Sequence, residues 1–456
     1  MPAEPGVEPL LRHVRGRLAG PDVRRVTDSE VIPSGSSLGG IGRRRDYVLT
    51  FAAEFAALGS SLLVLKLAAA YWGTTGFGEY MLVRRSLGFL YLPILCGMGL
   101  AVTRHVAMAR ARGERTEQSY FLGAVLVTAA TSGAAAVLLN VLSRPLAVLI
   151  FSSGDYAMLV RALAVAVPGL AFHGVAYGMF RGRMAMLQAN ALQVVNLAVV
   201  PAAVFSLPGL SVAQVTTLMG LVWSGVSVCA IGGVLQGAPH AVWKRDGLAA
   251  HARELLQYGV ARIPGELALG ALLALPVLLA AHSSGVERAG FVGLGVSLLS
   301  MLGSLFAPLG QILLPAVSSM WVQDDHMALW RKIRTLALRC LGLAVILVAV
   351  VEGLAPWGLV TFLGPEFGAA VPVVRTLCLA LIPFVAYVVL RNVLDALHAR
   401  PLNAKNLVLA LGIFLAGASL GASPRVVVNA FAIGMLALGL LTIRDVRLAF
   451  LTGRDR

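Results

Sequence analysis

Apolar positions run through this chain in long blocks. After Asp46, stretches of apolar residues follow one another, each closed by a short polar or Gly/Pro-containing break. A membrane helix needs about 20 such residues, with a range of about 17–25. The pattern predicts spans near 48–70, 81–103, 120–142, 158–179, 189–207, 212–235, 258–281, 290–315, 336–355, 374–396, 405–421 and 425–443. The blocks are too long for strands and lack the period-two alternation of a barrel. The fold class expected is an all-α polytopic membrane protein of about twelve transmembrane helices.

Residues 1–46 interrupt this pattern. They are rich in Pro, Gly and charge and hold no apolar run of signal-peptide type. Leu10 to Leu18, with Arg12, Arg15 and Arg17 between, fits a short basic amphipathic helix, but a solvated tail is the plainer reading. The expected order is a disordered basic cytoplasmic tail over 1–46, a six-helix bundle over 47–240, a second over 241–443, and a cytoplasmic tail over 444–456.

Composition agrees. Of 456 residues, 58% are hydrophobic and 13% charged, about half the roughly 25% of a soluble domain. Mean hydropathy is +0.82. These values exclude a disordered chain and argue strongly against a soluble enzyme. The net charge is +15, and its placement decides its meaning. With the N-terminus inside, 26 of the 37 Lys and Arg fall in cytoplasmic segments. Only Arg144, Arg288 and Arg425 fall outside, and eight lie within spans. The excess is a topology code for a multi-pass protein with both termini cytoplasmic, so nucleic acid is not an expected partner. Cys96, Cys229, Cys340 and Cys378 sit in apolar runs without CxxC spacing and read as reduced thiols. There is no GxxxxGK[ST] loop, no HExxH, no GxSxG and no metal-ligand spacing. His173, in span 4, reads as a satisfied histidine. No enzymatic, cofactor or metal site is expected.

The two halves repeat. At an offset of 212, Glu54 falls on Glu266 and Gly78 on Gly290. At 215, Leu90-x-x-Pro93 falls on Leu305-x-x-Pro308, and at 214 Val160–Leu163 falls on Val374–Leu377. Six spans per repeat orient both halves alike, about an axis along the membrane normal. Two such bundles enclose a central cavity, the architecture of a transporter. Pro93, Pro168, Pro201, Pro276, Pro308 and Pro383 lie inside spans, where proline breaks a backbone hydrogen bond and kinks a helix.

Charges inside spans cost at least about 2.5–3.5 kcal/mol near the bilayer centre and mark candidate sites. Lys66, Arg161, Arg339, Glu352 and Arg375 lie near span ends and read as snorkelling. Arg262 with Glu266, and Arg391 with Asp395, are four apart on one helix face and read as neutralising pairs or cavity charges. Arg84 and Arg85 are adjacent in the outer part of span 2 and point about 100° apart, so one turns to the bundle interior. The guanidinium fork matches phosphate geometry. Arg84, Arg85, Arg262 and Arg391 are therefore the candidate substrate-binding residues. Glu54, Glu266 and Asp395 are the candidates for ion coupling or charge pairing.

One stretch resembles a known family. Leu58-Gly59-Ser60-Ser61, followed by Gly73-Thr74-Thr75-Gly76-Phe77-Gly78-Glu79-Tyr80, is similar to the first span and outer loop of polysaccharide-biosynthesis membrane proteins. Gly97-Met98-Gly99-Leu100 with Arg104, the basic loop Arg104–Arg115, and Gln257-Tyr258-Gly259 before Pro264 fit the same pattern. The resemblance is to the multidrug/oligosaccharidyl-lipid/polysaccharide (MOP) exporter superfamily, and within it to Wzx-type flippases, with a MATE-like fold.

That resemblance implies a flippase that carries undecaprenyl-pyrophosphate-linked oligosaccharide across the bacterial cytoplasmic membrane for surface polysaccharide synthesis, by alternating access coupled to an ion gradient. It implies lipid-linked oligosaccharide and membrane lipid as partners, with a polysaccharide polymerase and a chain-length regulator beside them. The lipid II flippases of the superfamily carry two further C-terminal helices, so the twelve spans point away from peptidoglycan. A cation-coupled multidrug antiporter of the same fold needs an acidic cavity, against eight basic and four acidic residues in these spans. A non-transporting scaffold of a polysaccharide-assembly complex would tolerate loss of every intramembrane charge.

Overall fold

The computed structural model describes residues 44–114, 116–236, 245–307, 309, 317, 326–397, 402–421 and 423–452. The proposed basic tail, including Leu10–Leu18, lies outside the described residues up to 43, as do Pro308 and residues 310–315 of the predicted span 290–315 and residues 318–325. The described residues from Val48 onward form one compact unit.

The described secondary structure is helical throughout. The first helix, α1, runs from Arg44 to Leu95 and holds two spans, because Gly73 at φ 60°, ψ −163° kinks it. A positive φ of this kind costs glycine nothing and any L side chain strain. The second arm of α1 therefore begins eight residues before the predicted span 2. It ends at Cys96 and Gly97, both at positive φ, which divide the predicted 81–103 span before α2 (Met98–Ala111). The first bundle continues with α3 (Glu117–Val141), the short α4 (Ser143–Phe151), a 3₁₀ turn (Gly154–Tyr156) and α5 (Ala157–Gly182). A broken span follows, α6 (Met186–Val194), a π turn (Val195–Val199) and α7 (Val200–Phe205). It closes with α8 (Val212–Leu235), started by a capping box in which Ser211 and Gln214 satisfy each other's backbone N–H. The centre of this bundle is α5, which packs on α2, α3 and α8.

An amphipathic linker helix, α9 (Arg245–Val260), leads to the second bundle and docks on α2 and α3 of the first. The second bundle contains α10 (Ile263–Ser284), α11 (Val286–Ser304), α12 (His326–Leu363), a 3₁₀ turn (Pro365–Ala370), α13 (Val371–Leu379), α14 (Leu381–Leu397), α15 (Leu402–Ala418) and α16 (Pro424–Thr452). The last helix runs on past the predicted end of span 12.

Among the described residues ten helical segments are long and apolar enough to cross a membrane, and α15 is a shorter apolar helix. Counting the two arms of α1 separately gives the twelve spans read from the sequence. The chain is a multi-pass membrane protein of two six-helix bundles. The repeat is visible in the backbone: Gly285, at φ 85°, ψ 169°, turns α10 into α11 as Gly73 turns the arms of α1, at the same offset of 212.

The second arm of α1 and α11 face each other across the bundle interface. A Cβ on Gly290 would stand 2.7 Å from the Cα of Gly78, and a Cβ on Gly293 would stand 2.7 Å from the Cβ of Met81. Both pairs are 212 apart, so equivalent residues of the repeat meet at its two-fold axis. Further bonds join the bundles near the same end. Lys66 Nζ donates to the Phe362 carbonyl at 2.8 Å, and His282 Nε2 lies 2.7 Å from the Leu149 carbonyl oxygen. Lys66, read from sequence as snorkelling, is thus an inter-bundle donor.

Candidate functional site

Where α1 and α11 part, they leave a cavity of about 190 Å³. Glu54, Ser61, Arg84 and Arg85 line it from the two arms of α1; Ser297, Ser300 and Ser304 line it from α11. The Gly73 kink sets the depth of the arginines. Arg85 lies twelve residues beyond it, about 18 Å along a helix at 1.5 Å per residue.

Each arginine has a serine acceptor, and Arg84 also interacts with Tyr80. Arg85 Nη2 donates to Ser297 Oγ at 2.7 Å, and Arg84 Nη2 lies 3.4 Å from Ser61 Oγ. Arg84 Nη1 and Arg85 Nε are buried with no acceptor. An unmet buried donor costs about 1–3 kcal/mol, and more when charged. Both unmet donors belong to residues that line the same cavity. Glu54 stands in the same cavity but forms no ion pair with either arginine; it accepts from Gln193 Nε2 at 2.9 Å.

The serines were missed from sequence, although a signal existed. Ser297, Ser300 and Ser304 follow at intervals of three and four, one face of an otherwise apolar helix. Their hydroxyls donate to backbone carbonyls at Gly293, Val296 and Met301 at 2.7–2.8 Å. Their oxygens are therefore left to accept.

The other candidates form a second group. Arg262, at the start of α10, and Arg391 on α14 both bring positive charge to Glu266, and Tyr387 and Asp395 join them. Tyr91 of α1, six residues beyond Arg85, faces Glu266 from the first bundle. The intrahelical pairs expected from sequence do not form. Arg262 lies between α9 and α10 rather than within a helix, and its guanidinium stacks on Tyr258 at 4.7 Å. Arg391 lies 5.8 Å from the Tyr387 ring, and Asp395 accepts instead from Asn403 Nδ2 at 2.8 Å. The structure thus gathers Glu54, Arg84 and Arg85 in one cavity and Arg262, Glu266, Arg391 and Asp395 in another cluster.

His173 is a satisfied buried residue: its Nδ1 lies 3.1 Å from Asn196 Nδ2 in the π turn, which also donates to Ser227. Arg375, read as snorkelling, pairs with Glu352 at 2.6 Å between α13 and α12. Among the described residues no group of three His, Cys, Asp or Glu is placed to hold a metal ion.

The fold is that of an all-helical, multi-pass membrane protein with a cavity between its two bundles. Residues 44–321, more than half of the chain, match the model of the polysaccharide biosynthesis protein family, and the chain belongs to that family. No protein of curated function is significantly similar in sequence. Solved structures share the fold at low identity. An inward-facing MATE-family multidrug resistance transporter of the MOP superfamily superposes with a TM-score of 0.70 at 14% identity, over 89% of this chain and 98% of that one. The lipid II flippase MurJ, in an inward closed conformation, gives 0.67 at 11% identity, over 89% of each chain. A MOP-superfamily transporter from Pyrococcus furiosus gives 0.64 at 13%, over 90% of this chain and 97% of that one; its description reports a binding pocket of reverse polarity that suggests a different function.

Proposed function

We propose that the protein flips a pyrophosphate-linked oligosaccharide on a polyprenyl carrier across the bacterial cytoplasmic membrane, with both termini on the cytoplasmic side. The observation that carries this reading is the pair of unmet buried donors, Arg84 Nη1 and Arg85 Nε, in the cavity on the repeat axis. Family membership supports the polysaccharide substrate, and the MurJ fold supports a lipid-linked one.

The diphosphate docks on the two guanidinium groups, which supply charge-assisted donors, while Ser61 and the α11 serines surround it. The cavity holds about six water volumes at roughly 30 Å³ each. That suffices for a diphosphate and is too little for an oligosaccharide, so the sugar crosses only as the bundles move apart. The lipid chain stays in the bilayer. Glu54 carries the coupling ion or proton: a charged carboxylate opposes the phosphate, and its neutralisation lets the phosphate bind. Arg262 and Arg391 guide the headgroup toward the axis, with Glu266 and Asp395 balancing their charge. A polymerase and a chain-length regulator act on the product.

Binding of undecaprenyl pyrophosphate to the purified protein in detergent tests the site. R84Q and R85Q each weaken binding by about tenfold, the worth of one charge-assisted contact. Unchanged affinity in the double variant would overturn the assignment.

A further inference from the structure

The topology code disfavours basic residues at the Gly73/Gly285 end of the molecule. Arg144, Arg288 and Arg425, the three placed in outer loops by the sequence pattern, stand in the first turns of α4, α11 and α16 there. Two of these three, Arg288 and Arg425, line one cleft of about 570 Å³ between α11, α13 and α16. No carboxylate lines this cleft, and neither arginine makes an ion pair among the described residues. Asn429 stands beside them, and Phe291, Val373 and Val428 form an apolar wall behind.

The repeat shows that the cleft is particular to the second half. Near this end of the first half, Trp72, Tyr80 and Phe205 pack together with ring centroids 5.0–6.0 Å apart. Trp72 Nε1 also donates to the Leu210 carbonyl at 2.9 Å. At the offset of 212 these three aromatics fall on Ser284, Val292 and Gly417, and Val292 lines the cleft. Arg288 and Arg425 fall on Gly76 and Ala213. At these positions the second half carries smaller residues and gains two cations, while Phe291 packs on Phe367 with ring centroids 6.1 Å apart.

We infer that this cleft binds an anionic membrane phospholipid, with its phosphate between Arg288 and Arg425 and its upper acyl chain along Phe291, Val373 and Val428. Paired guanidinium groups match a phosphate, and a cleft among membrane-spanning helices takes its chain from the surrounding leaflet. At about 570 Å³ the space takes the phosphate headgroup and the upper part of one acyl chain, the rest of the lipid remaining in the leaflet. The site is separate from the axial cavity, and the inference does not depend on the substrate that cavity carries.

Native mass spectrometry of the full-length protein tests it. The protein is incubated in mixed micelles of equimolar phosphatidylglycerol and phosphatidylcholine, with undecaprenyl phosphate in a parallel arm. Wild type retains phosphatidylglycerol in preference to phosphatidylcholine. R288Q/R425Q lowers that preference about tenfold, while R144Q, which alters an arginine of this end outside the cleft, leaves it intact. V373F, which keeps both arginines, lowers retention of both phospholipids. Unchanged preference in R288Q/R425Q, or equal loss in R144Q, overturns the inference. Stronger retention of undecaprenyl phosphate than of phosphatidylglycerol would assign the cleft to the carrier and overturn it as well.

Discussion

Arg85 donates a 2.7 Å hydrogen bond to Ser297, the residue that occupies its own position in the second repeat, 212 residues on. Equivalent residues meet only at a symmetry axis, so this bond places the arginine pair on the axis that relates the bundles. The repeat has diverged there from identity to complementarity, with a cation on one side and a hydroxyl on the other. Ser297 keeps a second partner, the Gly293 carbonyl, so it remains satisfied when Arg85 is replaced.

One helical stretch nearer the kink, Gly78 and Gly290 hold the bundles in backbone contact. Adding a Cβ at both overpacks this end, a change that costs about 1–3 kcal/mol where it cannot relax. G78A/G290A therefore shifts the protein toward a state open at the Gly73/Gly285 end. With the four native cysteines replaced by alanine, S297C in this background reacts about tenfold faster with a membrane-impermeant maleimide added from that end. Equal rates would show that the glycine contact does not govern access.

Tyr258 is held between the guanidinium groups of Arg104, at 4.6 Å, and Arg262, at 4.7 Å. The first belongs to the first bundle and the second to the start of α10, so the ring ties the linker helix to both. Cation–π contacts of this kind give about 0.5–1 kcal/mol each at exposed sites. Y258A therefore speeds hydrogen exchange across Arg245–Val260 about tenfold, and Y258F, which keeps the ring, leaves it unchanged.

Arg375 and Glu352 make the shortest ion pair among the described residues, 2.6 Å, with side chains 44% and 29% exposed. Removing one partner leaves the other unpaired in an apolar setting, which costs more than removing both. R375M lowers the melting temperature by about 2 °C or more, and R375M/E352M recovers most of that loss. A double variant less stable than R375M would contradict the pairing.

Glu54 is the acid that shares the cavity with both arginines. E54Q keeps the hydrogen-bonding size of the side chain and its contact with Gln193 while removing the charge. It is expected to retain diphosphate binding and to lose the dependence of transport on an imposed ion gradient, measured in vesicles with and without that gradient. A wild-type gradient response in E54Q would move coupling to another residue.

The twelve spans and the repeat were legible because they are written in hydropathy and in the offset of glycines and charges, which survive without tertiary information. Arg84 and Arg85 were legible as costly charges, but their place on the repeat axis was not. It depends on Gly73, one of several glycines in Gly-Thr-Thr-Gly-Phe-Gly, and only the backbone shows which one turns. The pairings of Arg262 and Arg375 were illegible for a different reason. Sequence spacing favours partners four residues away, whereas Tyr258 with Arg104, and Glu352 across 23 residues, are brought near by helix packing.

Transfer of lipid-linked oligosaccharide in reconstituted proteoliposomes tests the central claim most directly. Wild type is expected to expose the sugar on the far leaflet at a rate well above protein-free vesicles. R84Q/R85Q, reconstituted to the same density, is expected to fall by about tenfold or more. Transfer by wild type no faster than in protein-free vesicles, or wild-type transfer by the double variant, would contradict the account.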